Sequence, residues 1–271
     1  MIESLAKNLV SLKKEFVTVY DGASHIQEVI PASKSELFPI QERDLELLHQ
    51  FATKNPIYYN SYEKIIGDTL CIVYEGDINK FWLNSIQHGS SHAPFSPTWI
   101  MSAYVLSLIA KENRYQEIID IGSGDGRIAF CAKVLGLESY SIEIDNMLVD
   151  VQKTLSSTVD FHPSCANAIQ FDYSSLNLSN PVFFIGGLAQ MGGIELASGV
   201  LEKITPSHFT KLGWVFAGTY SKKYKTDPKN EAGWGTLIEQ NHLKSINTIS
   251  LPTAWTFHET DETPYIFAET A

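Results

Sequence analysis

Only three cysteines occur in the 271 residues, Cys71, Cys131 and Cys165. They are odd in number, widely spaced and contain no Cys-x-x-Cys pair, which argues against a disulfide framework and a structural zinc site. A reducing, cytoplasmic compartment is expected. Arginine is also scarce, limited to Arg43, Arg114 and Arg127. Twenty Lys+Arg face thirty-one Asp+Glu, a formal net charge of −11. Such a field repels polyanions, so nucleic acid is not expected as the main partner. Lys222, Lys223, Lys225 and Lys229 around Tyr224 are the local exception and read as a solvated loop. No apolar run approaches the roughly 18 residues of a membrane span, so no membrane partner is expected. Internal repeats and low-complexity tracts are absent as well.

What is present suits a folded core, with 44% hydrophobic and 19% charged residues. Leu5, Leu9, Val10, Leu12 and Phe16 recur at helical spacing, and so do Leu45, Leu47, Leu48 and Phe51. Between Tyr58 and Asn84 an aromatic-rich region leaves helix and strand unresolved by period alone. His88 to Pro97 is dense in turn formers and marks a boundary. The chain therefore divides into residues 1–94, a mainly helical extension or cap, and residues 95–271, the main domain. At the start of that domain Thr98 is placed to cap a helix with Ile100, Met101, Tyr104, Val105, Leu108 and Ile109 on its apolar face.

Beyond this helix, short apolar runs alternate with helical ones. Strands are predicted at 117–121, 139–144, 159–162, 182–185 and 214–217, with helices at 126–135, 146–155 and 194–204. This alternation predicts an α/β fold with a doubly wound, mostly parallel sheet. Near the end, 246–251 and 265–269 lack an intervening helix and fit an antiparallel pair at the edge.

Asp120-Ile121-Gly122-Ser123-Gly124-Asp125-Gly126-Arg127 puts three glycines where a buried strand becomes a helix. Glycine there permits a tight turn and close approach of a ligand. A dinucleotide fold needs its third glycine one place later, where Arg127 stands, so NAD and FAD are disfavoured. A Gly-Lys-Ser/Thr ending is lacking, and Asp120 and Asp125 would repel pyrophosphate. The acids instead suit an ammonium, while glycine N–H groups near the helix start suit a carboxylate. Glu143, 21 positions after Gly122, is placed to accept both hydroxyls of a ribose. Asn167 and Ala168 after the third strand can contact adenine. An amino-acid end and a ribose end together describe S-adenosyl-L-methionine.

Asp120 to Arg127 followed by Ile142-Glu143-Ile144-Asp145 resembles the first two motifs of the class I S-adenosylmethionine-dependent methyltransferases. Over 95–216 the resemblance implies a seven-stranded, Rossmann-like sheet and a transferase activity. Its implied cofactor residues are Phe95, Thr98, Asp120, Gly122, Ser123, Gly124, Asp125, Gly126, Glu143, Ile144, Asn167 and Ala168. More narrowly, Gly122 to Ile128 and Pro94-Phe95-Ser96-Pro97-Thr98 resemble the seven-strand protein-lysine methyltransferases of archaea and mitochondria, with Trp99 where those enzymes have a second proline. The resemblance implies that Thr98 touches the methionine end of the cofactor.

One departure concerns the fourth strand, which ends in Gly186-Gly187-Leu188 in place of the polar-Pro-Pro-aromatic element of many N-methyltransferases. This argues against DNA-adenine and glutamine methylation. A lysine acceptor would lose its proton in an apolar pocket, for which Phe95, Trp99, Tyr104, Tyr220 and Trp234 are candidate walls. His92 as a base, Tyr220 and the Gly186 carbonyl are the catalytic candidates. Small-molecule O- or N-methylation and a non-catalytic cofactor-binding role are the alternatives. His88 and His92 read as loop residues, so no metal is expected. Asp145 is expected to cap the following helix, and Asp172 is left open between surface and cofactor side.

Overall fold

A computed structural model describes residues 1–86, 95–218, 230, 233–253 and 262–270. The elements run α1 (Ile2–Val19), β1 (Ile26–Pro31), α2 (Glu42–Lys54), β2 (Tyr58–Ile66), β3 (Thr69–Gly76), α3 (Asn79–Ile86) and α4 (Ile100–Glu112). They continue through β4 (Glu117–Ile121), α5 (Arg127–Val134), β5 (Glu138–Glu143), α6 (Asn146–Ser156), β6 (His162–Cys165), β7 (Pro181–Ile185) and α7 (Ile194–Leu201). The last are β8 (Gly213–Ala217), α8 (Gly235–Gln240), β9 (Leu243–Pro252) and β10 (Glu262–Thr270).

The main sheet has the order β6-β5-β4-β7-β8-β10-β9. Strands β4 to β8 pair in parallel, and β10 inserts antiparallel between β8 and β9. This is the doubly wound, seven-stranded sheet expected from the sequence. The order reverses between β4 and β7, which opens a crevice at the carboxyl ends of these strands. Only β9 is an edge strand of the terminal pair, since β10 is covered on both sides.

Side-chain alternation divides the core between the two faces of this sheet. Ile118, Val182, Phe184, Val215 and Phe267 point to one face, while Ile119, Ile121, Phe183, Ile185, Trp214, Phe216 and Ile266 point to the other. The first face is covered by α1, α4 and α5 and by the N-terminal segment, all within one continuous core. Helices predominate in that segment, and the undecided aromatic region forms β2 and β3, which join β1 in an antiparallel sheet of order β1-β3-β2. In α4 only Leu108, Lys111 and Glu112 escape full burial, because the N-terminal segment packs on the side that would otherwise meet solvent.

The start of α4 corrects an expectation. Its N-cap is Trp99, with no side-chain cap of its own, and the Ile100 N–H donates to Glu28 Oε2 at 2.8 Å. Glu28 on β1 thus does from a distance what Thr98 was expected to do locally, a carboxylate at a helix N-terminus. The same Glu28 accepts from Arg127 Nη1 at 2.5 Å and from the Tyr58 hydroxyl at 2.9 Å. Arg127 Nε and Nη2 donate to Asp125 at 2.9 and 2.6 Å, and Nη2 also reaches the Tyr58 oxygen at 3.3 Å. The fifth guanidinium proton goes to the Thr98 carbonyl. All five donors of a buried arginine are therefore placed. Burial raises the Glu28 carboxyl, opposed by Arg127 and by the Ile100 and Tyr58 donors.

Arg127→Met strands two buried carboxylates and should cost about 3–5 kcal/mol of folding stability. For a chain of this size that lowers the thermal midpoint by on the order of 10 °C. Calorimetry or denaturant unfolding checks it, and a loss below about 1 kcal/mol would contradict the structural role.

Candidate functional site

A cavity of about 570 Å³ opens at the carboxyl ends of β4, β5, β6 and β7. Eleven of the twelve cofactor residues expected from the sequence line it, namely Phe95, Thr98, Asp120, Gly122, Ser123, Gly124, Asp125, Glu143, Ile144, Asn167 and Ala168. None of the described residues 1–86 does, so that segment supports the site from behind.

Gly126 is the twelfth, and its role is packing. It caps α5 in the left-handed region at φ 78°, and a Cβ there would lie 2.9 Å from Gln152 and 3.1 Å from Phe161. At Gly124, φ 57°, a Cβ would sit 2.5 Å from the Phe95 ring, which is how Phe95 comes to border the loop. Gly186 answers the departure noted in the fourth strand. Its N–H donates to the Ile121 carbonyl at 2.6 Å, and a Cβ would meet the Gly122 carbonyl at 2.4 Å, so the end of β7 must close directly on the glycine loop.

The loop is held by bonds that leave few of its own groups open. The Gly122 and Ser123 N–H groups donate to Ile142 at 2.9 and 3.3 Å, and the Gly126 N–H donates to Ser123 at 2.9 Å. The Gly124 N–H donates to Glu143 Oε2 at 2.8 Å. These four N–H groups are committed, which corrects the expectation that glycine amides receive a ligand carboxylate. Gln152 reaches Ser123 Oγ at 2.9 Å and the Gly124 carbonyl at 2.6 Å from below.

Asp125 lines the cavity but is fully buried; its Oδ1 accepts from Arg127 Nε, and its Oδ2 accepts from Arg127 Nη2 and, at 2.9 Å, from Asn55 Nδ2. It anchors the loop to the N-terminal segment, and only Oδ1 keeps a lone pair. Arg127, which could have obstructed the cavity, is itself drawn into that buried network.

Asp120 Oδ2 is buried at the end of β4 and has no hydrogen-bond partner. Burial, with some repulsion from Asp125 and Glu143, pushes this carboxyl up to about 8. An unpartnered buried acid beside a cavity calls for a cation. At the end of β5, Glu143 Oε1 accepts from Ile144 and Asp145 N–H groups at 2.8 and 3.0 Å. Burial raises its carboxyl, against the pull of these backbone donors. Its Oε2, which accepts only from Gly124, keeps a lone pair for a ligand. Asn167 Oδ1 accepts from the Ile169 N–H at 2.9 Å, which leaves its amide NH₂ for a ligand.

Other expectations divide. Asp145 caps α6 through the Met147 and Leu148 N–H groups, as expected. Asp172 is exposed and caps a short turn at Ser174, away from the cavity. Of the proposed aromatic walls that lie among the described residues, only Phe95 borders the cavity. Trp99 packs on Phe16 under the Lys13 ammonium, the Tyr104 hydroxyl donates to Asp44 at 2.7 Å, and Trp234 stacks on Phe216. His88, His92, Tyr220 and the four lysines around Tyr224 lie outside the described residues. Among the described residues no group of three or more His, Cys, Asp and Glu is placed to hold a metal ion, and no helix is long and apolar enough to cross a membrane.

Leu188, Met191, Leu196, Val215, Ala217, Thr253, Thr263 and Tyr265 also line the cavity and were missed. Thr263 and Tyr265 alternate on one face of β10. Period 2 was legible there, but nothing local shows that β10 sits beside β8.

No family model matches the chain, and no curated protein is similar to it. Solved structures do resemble it. A putative RNA methyltransferase from Pyrococcus horikoshii aligns over 86% of this chain and all of its own, with 12% identity and a TM-score of 0.46. The Pyrococcus abyssi tRNA (uracil-54, C5)-methyltransferase, in complex with S-adenosyl-L-homocysteine, aligns over 78% of this chain and 44% of its own, at 12% identity and TM-score 0.48. A putative O-methyltransferase from Klebsiella pneumoniae gives 71% and 89% coverage, 13% identity and TM-score 0.45. The sheet order and the crevice give this chain the class I methyltransferase fold.

The raised Asp120 carboxyl sets the sign of a pH effect. Because the folded value lies above the ordinary Asp value of about 3.9, its contribution to stability is full below that value and is lost as pH rises through about 8. Asp120→Asn should flatten the decline in unfolding free energy between about pH 4 and 8. Urea unfolding of both proteins across that range measures it, and parallel curves would show Asp120 to be solvated.

Proposed function

We propose that this protein is an S-adenosyl-L-methionine-dependent methyltransferase. The observation that carries the reading is the unpartnered Oδ2 of buried Asp120 in the cavity, with Glu143 at the end of the neighbouring strand and the glycine loop beside both. A zwitterionic head and a sugar diol have these opposed needs. Asp120 receives the ammonium, Glu143 the ribose hydroxyls, and Asn167 with Ala168 the adenine edge. When bound, the cofactor supplies an activated methyl group on sulfur.

The rest falls to the walls. Leu188, Met191, Leu196, Val215 and Ala217 line the cavity with apolar surface near the ends of β7 and β8. They exclude water and disfavour the charged form of an entering amine. Alignment of nucleophile and methyl group then does most of the work. The acceptor we favour is a protein lysine, on the resemblance of Gly122 to Ile128 and Pro94 to Thr98 to the seven-strand protein-lysine methyltransferases.

Isothermal titration with the cofactor and its demethylated product, followed by radiolabel transfer to size-fractionated lysate, tests this. Label in protein bands supports the lysine reading. Label confined to small molecules or to nucleic acid replaces the acceptor, tight binding without transfer indicates a cofactor-binding protein, and absence of binding rejects the proposal. Glu143→Ala should weaken cofactor binding by about 1–3 kcal/mol. An unchanged affinity in the same titration removes Glu143 from the site.

A further inference from the structure

A cofactor carboxylate in this cavity needs hydrogen-bond donors, and the obvious ones are taken. The N–H groups of Gly122, Ser123, Gly124 and Gly126 are bonded within the protein. The five Arg127 protons go to Glu28, Asp125, Tyr58 and the Thr98 carbonyl. Asp120 is an acceptor when ionised and suits only the ammonium. Two hydroxyls line the cavity beside the glycine loop, those of Ser123 and Thr98. Ser123 is buried beneath the loop, whereas Thr98 is half-buried and more open.

Thr98 is fixed in place through its carbonyl, which accepts from Arg127. Its hydroxyl oxygen accepts from the Tyr265 hydroxyl at 2.9 Å. Among the described residues this is the only hydrogen bond that the Thr98 hydroxyl makes. A hydroxyl carries one proton and two lone pairs. With one lone pair filled by Tyr265, the Thr98 proton must point elsewhere, and the cavity is the side left open. Burial raises the Tyr265 phenol, so it remains a donor across the physiological range.

We propose that Tyr265 is a positioning residue that makes Thr98 a donor to the carboxylate of the cofactor's amino-acid end. The proposal rests on the cofactor reading above and adds a residue from the last strand of the sheet to it. Tyr265 arrives there because β10 pairs with β8, opposite Ala217, and alternation turns its ring to the cavity face. The hydroxyl pair bridges the two ends of the domain sequence, 167 positions apart.

The test compares two ligands that share adenosine and a thioether but differ in the amino-acid end. S-adenosylhomocysteine has the carboxylate, whereas 5′-methylthioadenosine does not. Tyr265→Phe, which removes only the hydroxyl, should weaken S-adenosylhomocysteine binding roughly tenfold and leave 5′-methylthioadenosine within about twofold. Thr98→Val should do the same, and Thr98→Ser should retain wild-type preference. Equal losses for both ligands, or none for either, would overturn the proposal, since a mere wall contact does not distinguish them. If Tyr265→Phe does not fold, the Ser and Val variants at Thr98 carry the test, and equal loss in both rejects it. Wild-type protein that binds neither ligand would instead reject the cofactor reading itself.

Discussion

The buried guanidinium of Arg127 is the interaction on which the site depends. Placing one cation and two carboxylates out of water costs several kcal/mol per ion unless every donor and lone pair is met. Here the N-terminal segment supplies Glu28, Tyr58 and Asn55, the loop supplies Asp125, and Thr98, two residues before α4, supplies a carbonyl. Lysine could not replace Arg127, since its three donors lack the planar fork that meets Asp125 through two nitrogens. The consequence is mechanical. Helix α4, strand β1 and the glycine loop cannot shift independently, and the loop is held in its turn before any ligand arrives.

This arrangement also explains what the cavity still needs. A loop whose amides are satisfied by Ile142, Glu143 and Ser123 is rigid and offers a ligand little backbone donation. The unmet atom is an acceptor, Oδ2 of Asp120. A preorganised site with an unpartnered buried acid favours a ligand that meets it. Leu188, Met191, Leu196, Val215 and Ala217 supply apolar wall elsewhere in the cavity.

The glycine loop, Glu143, Asn167 and the strand–helix alternation were legible because each is local. A buried strand run, a turn that needs positive φ and an acid at the next strand end fall within a few dozen residues of one another. Thr98 was legible as a site residue, but its capping role was not, because the group that caps α4 lies 72 positions away on β1. Asp125 looked like a ligand acid for the same reason: Asn55, 70 positions distant, cannot be read from the loop. Trp99, Tyr104 and Trp234 were plausible walls by residue type, and their rings went to cores on either face of the sheet.

The sequence by itself determined the α/β class, the place of the crevice and eleven of the residues that line it, since hydrophobic period and glycine spacing act over single elements. Tertiary structure alone decided which polar groups are free. Hydrogen bonds saturate, so a donor or acceptor is available to a ligand only if no distant residue has already taken it. That is why Asp125 Oδ2 and the loop amides are spent, while Asp120 Oδ2 and the Thr98 hydroxyl stay open at the cavity.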